Sequence, residues 1–183
     1  MDARIIKTKQ KVKDSLMFLL RSKRIGDVTI SELCKKAGIN RNTFYTHYSC
    51  PEDVLTDIAN ELSGLLFSTL EACEDESQIA RIACEHVLKN IDMYKIIMEN
   101  DGEKVYLKPA IDYSKNFVPY KNVNSSVGFP EQQIDIFYEF YIMGTIGIMK
   151  KWVANPSAIS PEKLAEFINS TSKYLIAGIR ASK

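Results

Sequence analysis

The sequence predicts an all-α protein: an N-terminal three-helix helix-turn-helix head followed by a larger helical C-terminal domain, about nine helices in all. Three observations predict it. The stretch from Thr29 to Leu55, TISELCKKAGINRNTFYTHYSCPEDVL, reads as a short helix, a tight turn, a second short helix and the capped start of a third. Apolar residues recur at helical spacing through most of the remaining chain. Charge is split along the chain. Residues 1–50 carry eleven Lys/Arg against four Asp/Glu, a net of +7, and residues 51–183 carry thirteen against nineteen, a net of −6. The total of +1 hides an N-terminal part suited to a polyanion.

Helix one is expected over residues 5–22, with Val12, Leu16, Leu19 and Leu20 as its buried stripe and Ile5 extending it. Arg4, Lys7, Lys9, Lys11 and Lys13 crowd its first half, as a solvated face or as a phosphate-neutralising one. Residues 23–28 connect, with Gly26 in the turn. Helix two, residues 30–36, opens on Thr29 and Glu32 at capping-box spacing and stops at Gly38, where a left-handed residue is cheapest. Lys35 and Lys36 point outward, within reach of phosphate. Asn40 caps helix three. That helix is too short to stand alone, so Ile39, Phe44 and Tyr48 must pack on helices one and two. Arg41, Asn42, Thr43, Tyr45 and His47 then face out. Arg suits guanine, Asn suits adenine, Thr offers a hydroxyl and a methyl, and Tyr and His suit phosphate.

AGINRNTFYTHY, with IKTKQKVKDSLMFLLRSK before it and PEDVLTDI after it, resembles the helix-turn-helix signature of the TetR family of transcriptional regulators. The specific likeness covers residues 4–58. It implies that Thr29, Arg41, Asn42, Thr43, Tyr45, His47 and Tyr48 lie at or near DNA, with Tyr48 equally readable as core. It also brings the start of helix one near the DNA backbone. One departure stands out: the family usually has a lysine just before the glutamate of helix four, and here that position is Pro51. Ser49 still precedes Glu52 by three, so a capping box is expected there, with the proline suiting the first helical turn.

Helix four, residues 51–73, carries Val54, Leu55, Ile58, Leu62, Leu65, Leu66 and Leu70, and leads out of the head. An acidic break at 71–77 precedes helix five at 78–90. There His86 lies on an apolar stripe and reads as a hydrogen-bonded core histidine rather than a metal ligand. A sixth helix over 92–100 is expected to be capped by Asp92. A weaker helical segment follows at 103–117, and residues 118–130, rich in Pro, Asn, Gly and Ser, read as a long loop. Helix eight, 131–153, is apolar nearly all round and must be buried on several faces. Helix nine runs from 161 to 181. Gly144, Ile148, Trp152, Phe167, Tyr174 and Gly178 are the expected contacts of a two-plus-two helix bundle between subunits, which the family resemblance also implies. Phe67, Met93, Tyr94, Met98, Tyr113, Phe137 and Tyr141 read either as ordinary core or as the lining of an apolar effector pocket. The expected division is a DNA-binding domain at 1–50 and an effector-binding and dimerisation domain at 51–183.

The four cysteines, Cys34, Cys50, Cys73 and Cys84, form no CxxC pair, which argues against zinc and against a secreted disulfide framework. Cys50, at a helix start, is placed where a thiol can be acidified. There is no signal-peptide core and no apolar run of about 18 residues, so a cytoplasmic protein without a membrane partner is expected. Two histidines, no phosphate-binding glycine loop and no metal spacing speak against an enzyme, a metal or a cofactor. The expected partners are an operator in double-stranded DNA, a second copy of the chain and a small apolar or aromatic effector. The expected function is repression from a pseudo-palindromic operator. The alternative is an adaptor or co-activator that works through a protein partner.

Overall fold

The computed structural model describes residues 3–100 and 131–181. Among these residues there are eight α-helices and no strand. They run α1 Ala3–Leu19, α2 Ile30–Ala37, α3 Arg41–Tyr45, α4 Pro51–Glu71, α5 Ile79–Lys89, α6 Ile91–Glu99, α7 Glu131–Ala154 and α8 Pro161–Ala181. Short 3-10 turns at Ile25–Asp27 and Glu76–Gln78 precede α2 and α5. The expected helical segment at 103–117 and the loop at 118–130 lie outside the described residues, as does Tyr113.

Helices α2 and α3 form as their end signals require. Thr29 is extended, and its hydroxyl accepts the Glu32 backbone N–H at 3.2 Å. Gly38 closes α2 at φ 66°, ψ 38°, a conformation that a side chain at this position would strain. Asn40 caps α3 by accepting the Thr43 N–H at 2.7 Å. Helix α1 stops at Leu19, short of the expected Ser22. Leu20 still bonds back to Leu16 at 2.9 Å, but Ser22 turns back to Leu19 at 3.2 Å and ends the helix. Ile5 is 37% exposed, so it does not extend the buried stripe.

Two expected caps differ. At α4 the Ser49–Glu52 box does not form. Pro51 occupies the first helical position, so the cap is Cys50, extended at φ −150°, ψ 168°, with no side-chain cap bond. Asp53, the third helical residue, reaches back instead and accepts the Ser49 N–H at 2.8 Å. At α6 the cap position belongs to Asn90 rather than Asp92. The Asn90 carbonyl accepts from Met93 at 3.0 Å and Tyr94 at 3.1 Å, so the helix starts one residue earlier and Asp92 falls in its first turn. The Asn90 side chain bonds back to the His86 carbonyl at 2.9 Å, which lets α5 run into α6 with one intervening residue.

One continuous apolar core joins the head to the rest. Val12, Leu16, Leu33, Phe44, Val54, Leu55 and Ile58 fill its N-terminal end; Cys84, Val87, Tyr94, Ile97, Trp152, Leu164 and Ile168 continue it. Helix α1 packs on α2 and α4, α2 on α3, α5 on α4 and α8, and α6 on α7. Helix α4 contributes Val54, Leu55, Ile58 and Leu62 to this core, and Leu66 and Leu70 are buried further along it. The link also has a polar clasp. Arg24 donates to the Glu99 carbonyl, and Asn100, 4% exposed, accepts the Ile25 N–H at 2.8 Å while donating to the Ile96 carbonyl at 2.9 Å. This holds the turn after α1 against the end of α6.

Candidate nucleic-acid interface

The exposed rim of the head is built from short, well-capped pieces. Arg41, Asn42, Tyr45 and Thr46 are exposed, and Thr43 and His47 half-buried. Tyr45 is 56% exposed although its ring stands edge-on to buried Phe44, 5.9 Å and 78° away. Phe44 also contacts the Tyr48 ring at 5.8 Å. Thr29 lies exposed at the start of α2, with its hydroxyl already holding the cap. Lys35 is exposed near the end of α2. Lys36 is exposed too, with its ammonium 3.4 Å from the centroid of the Phe18 ring, so a cation–π contact already engages it.

Tyr48 is the core member of the sequence-derived set, at 6% exposure. Its hydroxyl donates to Asp57 of α4 at 2.7 Å. The same Asp57 oxygen takes Lys9 at 2.9 Å and Lys13 at 3.0 Å, and Lys13 reaches Glu61 at 2.5 Å. Two lysines one turn apart on α1 thus meet two carboxylates one turn apart on α4. Lys13, 5% exposed, is turned inward rather than toward a phosphate, and Lys9 is engaged by the same carboxylate. The amphipathic reading of α1 missed this because the partner carboxylates lie on another helix. Lys7 and Lys11 remain exposed.

Burial pushes the Asp57 carboxyl up, but the bonds from Lys9, Tyr48 and Lys13 outweigh it and hold the group at about 2. Burial, then the Asp57 bond, pushes the Tyr48 phenol well up, so it stays a donor. A carboxylate held below its ordinary value contributes stability above that value and loses it as pH falls through the lowered one. In urea unfolding, wild type should therefore lose roughly 2 kcal/mol from this group as pH falls from about 4 to about 2. Asp57→Asn should lack that acid-sensitive component; an equally steep acid loss in the variant would assign it elsewhere. Cys50 is not acidified by its helix start, because burial pushes its thiol up, with smaller effects from Glu52 and Asp53.

The other sequence-derived sets fall as follows. Tyr94 is 1% exposed, and Phe67, Met93, Met98, Phe137 and Tyr141 are half-buried. His86 is half-buried, edge-on to Tyr94 at 6.0 Å and hydrogen-bonded to the Leu62 backbone, as a core histidine should be, while its buried Nε2 has no hydrogen-bond partner among the described residues. Trp152 is covered within this chain at 3% exposure, its indole N–H bonded to the Ile159 carbonyl at 2.9 Å. Phe167 is 54% and Tyr174 77% exposed; Gly144 and Gly178 are exposed and Ile148 is half-buried. The sequence reading left Ile136, Phe140 and Met143 out of the interface set, yet they form an exposed apolar row on α7 at 70%, 66% and 46%. Their spacing of four and three was the available signal. Among the described residues no His/Cys/Asp/Glu group could hold a metal ion, and no helix is long and apolar enough to cross a membrane.

Comparison with known proteins agrees with this architecture. The crystal structure of Lin0861 from Listeria innocua superposes with a TM-score of 0.72 at 18% identity, covering 96% of this chain and 94% of that one. A Syntrophomonas wolfei protein described as a TetR-family transcriptional regulator gives 0.72 at 18% identity, over 93% and 95%. The dihydroxyacetone kinase operon activator DhaS gives 0.62 at 17%, over 93% and 96%. These likenesses show a shared fold. The uncharacterized HTH-type transcriptional regulator YxbF of Bacillus subtilis (strain 168) is 22% identical over 164 residues, or 85% of this chain; the chain spans 42% of the length of YxbF. Residues 74–174, more than half the chain, match the TetR family model described as a transcriptional regulator C-terminal region. With a capped helix-turn-helix at one end and that region making up the other, the chain belongs to the TetR family of transcriptional regulators.

Proposed function

We propose that this chain is a homodimeric repressor that reads a pseudo-palindromic operator in double-stranded DNA. Residues 1–50 serve as the reading head and residues 51–183 as the dimerisation and effector-binding part. The observation that carries the reading is the exposed edge of α3: Arg41, Asn42 and Tyr45 stand on a helix fixed by Asn40 at its start and by buried Phe44 beneath it. Arg41, Asn42 and Thr43 are suited to base edges. Tyr45 and His47, with Thr29 and Lys35 at the ends of α2, are suited to set register on the backbone. Lys36 contributes charge from its position over Phe18, and Tyr48 acts from within the core. Two heads would enter successive major grooves roughly 34–36 Å apart. Half-buried Phe67, Met93, Met98, Phe137 and Tyr141, with buried Tyr94, are the candidate lining for a small apolar or aromatic effector. Such a molecule would release DNA only as far as it prefers a form with the wrong head spacing.

Selection of bound DNA from a random pool tests this reading, with a palindrome of two half-sites as the expected result. Arg41→Ala should then cost about 1–3 kcal/mol of operator affinity and relax the preference at one base position per half-site. Unchanged binding by that variant in a gel shift would remove Arg41 from the reading set.

A second reading, an adaptor that activates through a protein partner, draws on two observations. Pro51 replaces the lysine usual in the family, and Lys9 and Lys13 are engaged inside the chain, so the head offers fewer free cations than its sequence suggests. A fold neighbour is named as an operon activator. Co-purification of a different subunit, with no DNA selected by the isolated chain, would favour this reading.

A further inference from the structure

Helices α1 and α4 and the segment just after α3 meet at one carboxylate. Asp57 lies on α4, Lys9 and Lys13 on α1, and Tyr48 just beyond α3. A single oxygen of Asp57 accepts from all three, at 2.7 Å from Tyr48, 2.9 Å from Lys9 and 3.0 Å from Lys13. Lys9 also lies 5.4 Å from the centroid of the Tyr48 ring. With Glu61 the group is electrically neutral: two ammoniums against two carboxylates. Helix α3 has five residues and cannot hold its own direction. Its orientation depends on Phe44 and on the segment ending at Tyr48, whose N–H bonds back to the Phe44 carbonyl at 3.0 Å. The hydroxyl of Tyr48 converts that packing into a directional tie.

We infer that Asp57 is a positioning residue for operator reading, which takes Lys9 and Lys13 away from phosphate and fixes Tyr48, and with it α3, to α1 and α4. The inference rests on the DNA-reading function proposed above. The trade has a definite consequence. Two cations that would add sequence-independent attraction are converted into a support for the base-reading helix, which lowers non-specific affinity and raises specific affinity together.

The test compares wild type, Asp57→Asn, Tyr48→Phe and Lys9→Met on a selected operator and on a scrambled duplex, across a salt series, with a circular-dichroism melt of each. Asp57→Asn should bind the operator about tenfold more weakly, because the tie to α3 is lost. It should bind the scrambled duplex more tightly, with a salt slope steeper by about 1 as Lys9 becomes free to meet phosphate. Tyr48→Phe, which keeps the ring and removes the tie, should lose operator affinity with no steeper salt slope. Lys9→Met should not flatten the wild-type salt slope. A merely structural role would lower the melting temperature while leaving the ratio of specific to non-specific affinity in place. That ratio unchanged in folded Asp57→Asn and Tyr48→Phe would overturn the assignment. If Asp57→Asn does not fold, Tyr48→Phe and Lys9→Met decide: retained operator affinity in the first, or a flatter slope in the second, overturns it. If wild type selects no sequence, the DNA-reading function itself fails, and the assignment with it; that result is distinct from a wild type that binds while its variants keep their ratio.

Discussion

Phe44→Ala should cost the protein about 3–5 kcal/mol and remove operator binding. Phe44 has 0% exposure and sits where the three head helices converge, in ring contact with Tyr45 and Tyr48. Truncation loses the transfer free energy of the ring and leaves a cavity that a five-residue helix cannot refill without turning. Natural domains are stable by about 5–15 kcal/mol in all, so the loss is a large share of the total. For a chain of this size it corresponds to a fall in melting temperature of roughly 10 °C. Helix α4 continues the same core into the body, so the head should not melt as an independent unit, and one cooperative transition is expected. Thermal and urea unfolding followed by circular dichroism check the magnitude. A loss below about 1 kcal/mol would mean that Phe44 is not the keystone its burial implies.

The second large effect concerns self-association. Ile136, Phe140 and Met143 on α7 and Phe167 and Tyr174 on α8 are exposed large apolar side chains at helical spacing. Exposed rows of this kind suit a partner surface, and in the proposed homodimer two such helices from each copy would make a four-helix bundle. Trp152 belongs to this chain's own core, so the row on α7 that a second copy would cover runs through Phe140 instead. Phe140→Glu should therefore place a charge in a closed apolar interface. Light scattering behind size exclusion should report twice 20.8 kDa for wild type and 20.8 kDa for the variant. Operator affinity should fall by at least ~100-fold, since the second half-site no longer benefits from being tethered to the first. A wild type that is monomeric at micromolar concentration, or a variant that stays paired, would remove this face from the proposal.

Much of the fold was legible because helix ends announce themselves locally. Thr29 and Glu32, Gly38, and Asn40 with Thr43 set α2 and α3 through bonds that span three or four residues, and the structure has each of them. Helices α7 and α8 were bounded to within a residue for the same reason, with Asn155-Pro156 ending one and Ser160-Pro161 starting the next. The failures were local too where two candidates compete. Ser49 and Cys50 both precede Pro51, and the proline takes the first helical position, which gives the cap to the weaker side chain.

What the sequence by itself determined, then, is the family, the all-α architecture and the order of the head helices, because capping, glycine stops and apolar period act between near neighbours. What only the tertiary structure decided is which face of each helix meets which. Lys13 is part of a basic run in the sequence and a buried partner of Asp57 and Glu61 in the fold. Tyr48 is an aromatic that suits DNA or core until Asp57 claims its hydroxyl. Trp152 and Phe140 differ in sequence only by position on one all-apolar helix, yet one is covered within the chain and the other is left open. The physical reason is common to all three: a helix that is basic or apolar over a wide arc has no preferred azimuth of its own, and the rotation is chosen by the charges and surfaces of helices far away along the chain.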